Sequence, residues 1–535
     1  MTIGSFDTLP IDILLSIFAR LPPASIRQCQ KVCRSLRRLI SKNDYLQYIL
    51  ELEASGYVEP LRPRMDLSYA ERTQFLRKHN SRWKNLSSVT PVHYDLPAYQ
   101  RTGLDRLVKG TFVWGQFTAS GKAFSKVMFY QLPSTNTGTD FKQWSIDLVG
   151  GCDNIEIDPA QDLLVVVETR SASDALMNDE PFNIRLKTMS TAEPHSKAPQ
   201  DQKVLCYTPP SGSWHSGPCH VWIFGHLLAG MFNVDFISNL VVWNWTTGQE
   251  LTYLTIAWSS PSYDLELLSE RSFVICRPAY SSDANQSFPH DTFGWLSVYQ
   301  FNPDATIPTQ AIHVVSFALP ACDPESVWSY YMTMHSAPAI APLSAQNYPS
   351  SPAKVYDLTP NDRLLRVDVS MSWSEGRGGL VGSLYVNASV LLAIQQPSHE
   401  LIPWHEWANR ASWVSSSGLP PHCEPSIFGH RLVAQQTSQD GTPSSQIILL
   451  DFDQRRLKTH GTSALGSSTA LSGNHRIRYS RAQAKCIESI LEIEGASLAT
   501  DRWESREVMD CTFIVSSLYD VTASDSTEII PSATE

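Results

Sequence analysis

The spacing of apolar residues changes character once along this chain, near residue 90, and one kind of secondary structure cannot accommodate both patterns. Before that point the spacing is helical. Leu9, Ile13, Ile17 and Leu21 recur every four residues, and Leu14 and Phe18 widen the stripe. Pro10 lies where a first-turn proline is tolerated, and Pro22-Pro23 stops the helix. Ser25 followed by Gln28 has capping-box spacing for a second helix. Val32, Leu36, Leu39 and Ile40 then form one stripe, and Tyr45, Leu46, Ile49 and Leu50 another. These are helices of one to three turns. Some fifty residues of such helices bury little apolar area, so the unit needs a partner or a neighbouring domain. A stretch rich in Arg, Lys and Asn follows at 62–85, with a helical connector expected around 69–78.

Beyond residue 90 the pattern is an apolar strand, a tight polar turn and another strand. It recurs at 154–167 (NIEIDPAQDLLVVV), 221–245, 265–301, 364–394, 427–452 and 509–517. Successive copies lie roughly 40 to 65 residues apart, the spacing of four-stranded propeller blades with variable loops. Thr246, Thr247 and Gly248 sit where one strand must reverse into the next, and 451–456 (DFDQRR) does the same later. Polar stretches such as 134–140, 190–203, 345–353 and 458–475 read as surface loops. No Trp-Asp pair ends a strand, and the doublet Gly150-Gly151 is not repeated, so neither WD40 nor kelch signatures are present. The expected fold is mainly β: a small all-α unit at 1–55, a helical linker at 56–90, a degenerate β-propeller of six to seven blades at 91–522, and a disordered tail at 523–535. A pair of two-sheet sandwiches is the alternative.

Composition narrows the function. Apolar residues make up 42% and charged residues 18%, a balance that favours a packed chain over a disordered one. The net charge is −11 and no basic block occurs in the body of the chain, which argues against nucleic acid as a partner. No run of eighteen or more apolar residues occurs, and the N-terminus does not read as a secretory signal, so no membrane is expected. The ten Cys are scattered singly, without a C-x-x-C pair, which suits reduced thiols in the cytoplasm or nucleus.

Catalytic and metal signatures are weak. His405-Glu406 lacks a second His four residues after the first. His215, Cys219 and His220 have no evident fourth ligand, and 211–217 (SGSWHSG) has the wrong frame for a nucleophile elbow. Asp158/Asp162 and Asp451/Asp453 flank turns, where Asp bonds the backbone. No cofactor, metal or catalytic residue is expected. Cys29 and Cys33, four apart, are read as small core residues. Trp243, Trp245, Trp404, Trp407 and Trp413 are candidates for a binding face, or else strand core.

One segment carries more information. Residues 9–46, LPIDILLSIFARLPPASIRQCQKVCRSLRRLISKNDYL, hold Leu9-Pro10 with Asp12, then Ile13, Leu14, Ile17 and Leu21. They continue through Pro22-Pro23, Ile26, Val32-Cys33-Arg34, Leu36 and Leu39 without a gap. In this order and spacing they resemble the F-box. Many F-boxes carry Trp two residues after the Cys-Arg pair and again near the end, where this chain has Leu36 and Tyr45-Leu46; both positions stay apolar. The resemblance implies docking on the Skp adaptor of an SCF ubiquitin ligase and, through it, on a cullin. It assigns Leu9, Pro10, Ile13, Leu14, Ile17, Leu21, Ile26, Val32, Cys33, Leu36 and Leu39 to that contact. Residues 1–50 carry seven Lys/Arg against three Asp/Glu, a local charge of 7 − 3 = +4 that suits an acidic partner.

The segments at 155–168 and 240–251 look like those of a group of fungal F-box proteins with a divergent β-rich region. The implied function is a substrate-recognition adaptor, not an enzyme, with the β-domain holding an unknown protein target. A scaffold that uses the Skp adaptor without degradation, or a propeller enzyme with a helical cap, are the other readings. The enzyme would need carboxylates or His clustered at one mouth of the propeller.

Overall fold

The computed structural model describes residues 9–516, apart from connecting stretches of which 169–181, 279–291, 337–352 and 453–474 are the longest. The tail expected from residue 523 lies outside the described residues, as do His215 and the stretch 211–217.

Five helices come first: α1 (Ile11–Phe18), α2 (Pro23–Val32), α3 (Arg34–Lys42), α4 (Asp44–Ser55) and α5 (Tyr69–Lys84). Pro10 and Pro22 take the cap positions of α1 and α2 without a side-chain bond, so α2 begins at Pro23 and not at a Ser25 capping box. A second break was not signalled by Gly or Pro. Cys33 is extended (φ −153°, ψ 164°), which ends α2 at Val32 and opens α3 at Arg34. Val32 therefore does not share a stripe with Leu36, Leu39 and Ile40. Cys33 Sγ accepts the Leu36 N–H at 3.4 Å, and Asn43 Oδ1 accepts the Leu46 N–H at 3.0 Å to open α4. Gly56, at φ +78°, stops α4 in a left-handed turn that a Cβ would strain.

The strands follow in chain order. β1 (Tyr57–Val58) and β2 (Val92–Tyr94) precede a seven-stranded sheet made of β3 (Asp105–Val108), β4 (Thr111–Phe117), β5 (Phe124–Gln131), β6 (Lys142–Asp158), β7 (Leu163–Glu168), β8 (Phe182–Thr188) and β9 (Val204–Tyr207). The next sheet holds β10 (His220–Phe224), β11 (Leu227–Val234), β12 (Ile237–Asn244) and β13 (Gln249–Ala257). Then come β14 (Asp264–Ser269), β15 (Ser272–Pro278) and β16 (Gly294–Gln300), followed by β17 (Thr309–Gln310), which adds in parallel to β13, and β18 (Ile312–Ala318). The fourth sheet has β19 (Ser329–Ser336), β21 (Leu364–Ser372), β22 (Gly378–Asn387) and β24 (Ala411–Ser415). Between these strands, β20 (Asp357–Leu358) leaves to pair with β1, and β23 (Leu401–Ile402) adds in parallel to β18. The fifth takes β25 (Ser426–Phe428), β26 (Arg431–Thr437), β27 (Ser445–Asp451), β28 (His475–Ser480) and β29 (Gln483–Ile493). Last, β30 (Trp503–Glu507) and β31 (Phe513–Ser516) form a three-stranded sheet with β2.

The β-domain is a propeller whose blades, among the described residues, are five sheets of four or more strands. Of the repeats read from the sequence, five fall one on each of these sheets, and the last, at 509–517, overlaps β31 of the three-stranded sheet. The largest sheet holds a further hairpin because β6 is shared: its N-terminal half pairs with β5 and its C-terminal half with β7, so two hairpin units fuse through the Gly150-Gly151 doublet. The halves then pack on each other across Phe129, Ile146, Ile155, Ile157, Leu164 and Val166.

Burial follows the two-residue period of strands sandwiched between sheets. In β7, Leu164 and Val166 face that layer while Leu163, Val165 and Val167 face the next sheet. In β12, Val241 and Trp243 pack one way and Leu240 and Val242 the other. In β15, Phe273 and Ile275 pack one way and Val274 and Cys276 the other. Runs such as LLVVV are continuous because both faces are covered. The C-terminal half of β6 and the strands β10, β14 and β19 stand side by side at the inner ends of the blades.

Candidate partner-binding surface

The core of the N-terminal helices is small. Leu14, Phe18, Ile26, Ile40, Leu46 and Leu50 are buried together, with Leu15, Leu21, Cys29, Leu36, Leu39 and Tyr45 packed around them. Helical geometry decides what remains outside. On α1, Leu14 and Phe18 point inward, whereas the stripe one residue earlier, Leu9, Ile13 and Ile17, is exposed by 37%, 49% and 36%. Val32, at the end of α2, is 72% exposed, and Pro10 and Cys33 are exposed as well.

The eleven residues singled out from the sequence thus divide by role. Leu14 and Ile26 are buried; Leu21, Leu36 and Leu39 are half-buried beside them; Leu9, Pro10, Ile13, Ile17, Val32 and Cys33 present side chains to solvent. Ile11, 61% exposed, was not picked out because it lies off the four-residue repeat. Cys33 is not a core residue: it caps α3 at the surface, while Cys29 is half-buried.

Charge surrounds this apolar surface. From 11 to 42 the chain has seven Lys/Arg and one acid, Asp12, a balance of 7 − 1 = +6. Arg20, Lys31, Arg34, Arg37, Arg38 and Lys42 are all exposed. Arg27, half-buried, is drawn into an ion pair with an acid from α4, Glu53 at 2.6 Å. A protein surface that is apolar at its centre and acidic at its rim complements this arrangement.

The other candidates settle into the fold. Trp243, Trp245 and Trp407 are buried, and Trp404 and Trp413 pack against the layer between the third and fourth sheets. Trp245 Nε1 donates to Gly225 O at 2.9 Å, so its polar edge is used internally. Carboxylates near the inner strands are likewise committed. Glu266 pairs with Arg363 at 2.8 Å, Asp368 with Arg366 at 2.7 Å, and Asp264 Oδ2 accepts the Met334 N–H at 2.8 Å. Burial raises Glu266, and the Arg363 charge opposes that rise. Asp158 takes Lys109 Nζ at 2.7 Å, Gln161 Nε2 at 2.8 Å and the Ala160 N–H at 3.0 Å. Burial would push its pKa up, but Lys109 and these bonds hold it below the ordinary carboxylate value.

These helices, with an exposed apolar stripe flanked by cations, lie in the part of the chain, residues 6–47, that matches the F-box-like family model. The chain carries an F-box-like domain at its helices. Comparison with curated proteins gives no match. Among solved structures, an uncharacterized protein from Listeria monocytogenes is similar at 8% identity over 66% of this chain and 82% of that one, with a TM-score of 0.31. A hypothetical selenium-binding protein from Sulfolobus tokodaii is similar at 12% identity over 62% and 70%, with a TM-score of 0.27. The F-box-like segment accounts for α1 to α3 and the start of α4, and so for every residue assigned to the adaptor contact.

Proposed function

We propose that this F-box protein is the substrate-recognition subunit of an SCF-type ubiquitin ligase. The F-box docks on the Skp adaptor through Leu9, Pro10, Ile13, Ile17, Val32 and Cys33, with Leu14, Leu21, Ile26, Leu36 and Leu39 holding the helices that carry them. The observation behind this reading is the exposed Leu9/Ile13/Ile17 stripe, one residue out of register with the buried Leu14/Phe18 stripe on the same helix. Covering it would remove apolar area from water at about 25 cal/mol per Å² before association costs. The basic flank favours encounter with an acidic adaptor.

The propeller would hold the protein target, and the cullin would bring the ubiquitin-carrying enzyme within reach. No side chain of this chain then acts on a bond, and its contribution to rate is proximity. F-box plus propeller is the architecture of adaptors rather than enzymes, and the committed carboxylates described above support that.

Affinity capture of the full chain from its native cells tests the proposal. Skp adaptor and cullin together are the expected companions, and both should be lost on Leu9→Ala with Pro10→Ala. Capture of neither by the intact chain rules the proposal out, while adaptor without cullin identifies a non-degradative scaffold.

A further inference from the structure

Between β19 and β21 the chain leaves its blade and runs along the helical unit. Lys354 N donates to Arg62 O and Arg64 N donates to Lys354 O, both at 2.9 Å. Asp357 and Leu358 then pair antiparallel with Val58 and Tyr57, and Thr359 Oγ1 reaches Gly56 O at 3.4 Å. This strap also supplies side chains. Val355 and Tyr356 are buried in one cluster with Tyr48 and Leu52 of α4, Tyr57 of β1 and Leu76 of α5. Tyr48 donates its hydroxyl to Val355 O at 2.5 Å, and the Tyr57 and Tyr356 rings stack at 4.1 Å.

Two more propeller positions hold the same place. Asn136, in the turn between β5 and β6, accepts the Val355 and Tyr356 N–H groups at 2.9 and 3.2 Å and donates to Tyr356 O at 3.3 Å. From β26, Arg431 donates to the Tyr57 hydroxyl at 3.1 Å and pairs with Asp451 at 3.2 Å. Both the Tyr57 and Tyr356 hydroxyls meet Nε2 of buried His79 on α5, at 3.0 and 3.2 Å. Three separate parts of the propeller therefore converge on one seam beneath α4 and α5.

We infer that the strap 354–359, locked by Asn136 and by the Tyr57–His79–Tyr356–Arg431 cluster, fixes the helical unit on the propeller as one rigid body. A flexible tether would need few buried contacts across the join; this join has a shared apolar core, backbone pairing and a buried ionic network. The consequence, which rests on the adaptor reading above, is that the Leu9/Ile13/Ile17 stripe is presented at a set angle to the blades. Reach toward a bound target is then determined by the fold.

Hydrogen–deuterium exchange on the full chain, without adaptor, tests the inference independently of adaptor binding. Asn136→Ala removes three bonds to the strap from outside the helical core, and Tyr356→Ala removes the stacked ring. If the strap holds the helices, Asn136→Ala raises exchange at β1, α4 and α5 on the order of tenfold or more while the β10–β13 sheet keeps its rate. Tyr356→Ala has the larger effect at the same amides. Unchanged exchange at α4 and α5 in both variants overturns the inference. So does equal acceleration in the β10–β13 sheet, which would make the strap an ordinary part of one cooperative unit. Asn136→Ala carries the test by itself where Tyr356→Ala does not fold.

Discussion

Ile13→Asp separates binding from folding on α1. Ile13 is 49% exposed, so docking has about half of its side chain left to bury. Fully burying an isoleucine stabilises by about 1.5–3 kcal/mol, so the remaining half contributes about 1 kcal/mol. Aspartate forfeits that term and places a carboxylate in the contact, which adds several kcal/mol of desolvation unless it finds a partner. A combined loss of at least about 3 kcal/mol weakens the adaptor complex roughly 150-fold. In the free chain the carboxylate stays half in water, so helix content should barely change. Leu14→Ala, one residue along and buried, instead costs about 2–5 kcal/mol of folding stability through the cavity it leaves. Calorimetric titration with purified Skp adaptor, alongside far-UV circular dichroism, reads both quantities. Binding by Ile13→Asp within threefold of the natural chain, with helicity intact, would refute the assignment of this stripe to the interface.

Three further expectations concern the propeller and its seam. Lys109→Ala leaves Asp158 charged and buried without its cation, a change that typically costs about 3–5 kcal/mol, visible as an earlier chemical unfolding transition. Because Asp158 titrates below its ordinary value in the folded state, its contribution is present above about pH 4 and fades as pH falls through the folded pKa. The natural chain should thus lose more stability in acid than Lys109→Ala does. At the seam, burial and the nearby Arg431 and Arg82 charges push His79 well below its ordinary 6.5. The unfolded chain takes up a proton there that the folded chain refuses, so stability falls as pH drops below about 6.5, and His79→Phe should flatten that part of the melting profile. Trp245→Phe removes the bond to Gly225 O and should lower stability by about 1–3 kcal/mol without changing adaptor affinity.

The helical unit was legible because its period is local: four-residue spacing, Pro10 and Pro22-Pro23 are visible within a few turns. The break at Cys33 was not, since an extended residue between two helices needs neither Gly nor Pro. Exposure along α1 could not be read either. The stripes Leu9/Ile13/Ile17 and Leu14/Phe18 are equally apolar, and only packing against Ile26 and Ile40 decides which turns inward. In the propeller, strand and turn signals gave the repeat. Sharing of β6 escaped because it depends on which hairpin each half of one strand joins. The strap was hidden most completely. Its residues sit beside a polar stretch read as a loop, and their partners are some three hundred positions away, as with Tyr48 and Val355. Such contacts leave no local pattern. For Trp243 and Trp245 the sequence left two readings, binding face or strand core, and burial decides for the core.

The F-box contact is tested most directly by size-exclusion chromatography with light scattering on the purified full chain mixed with purified Skp adaptor. A single peak at the summed mass of one copy of each, split back into two by Ile13→Asp, is the predicted result. Separate elution of the natural chain and the adaptor at micromolar concentrations would contradict it.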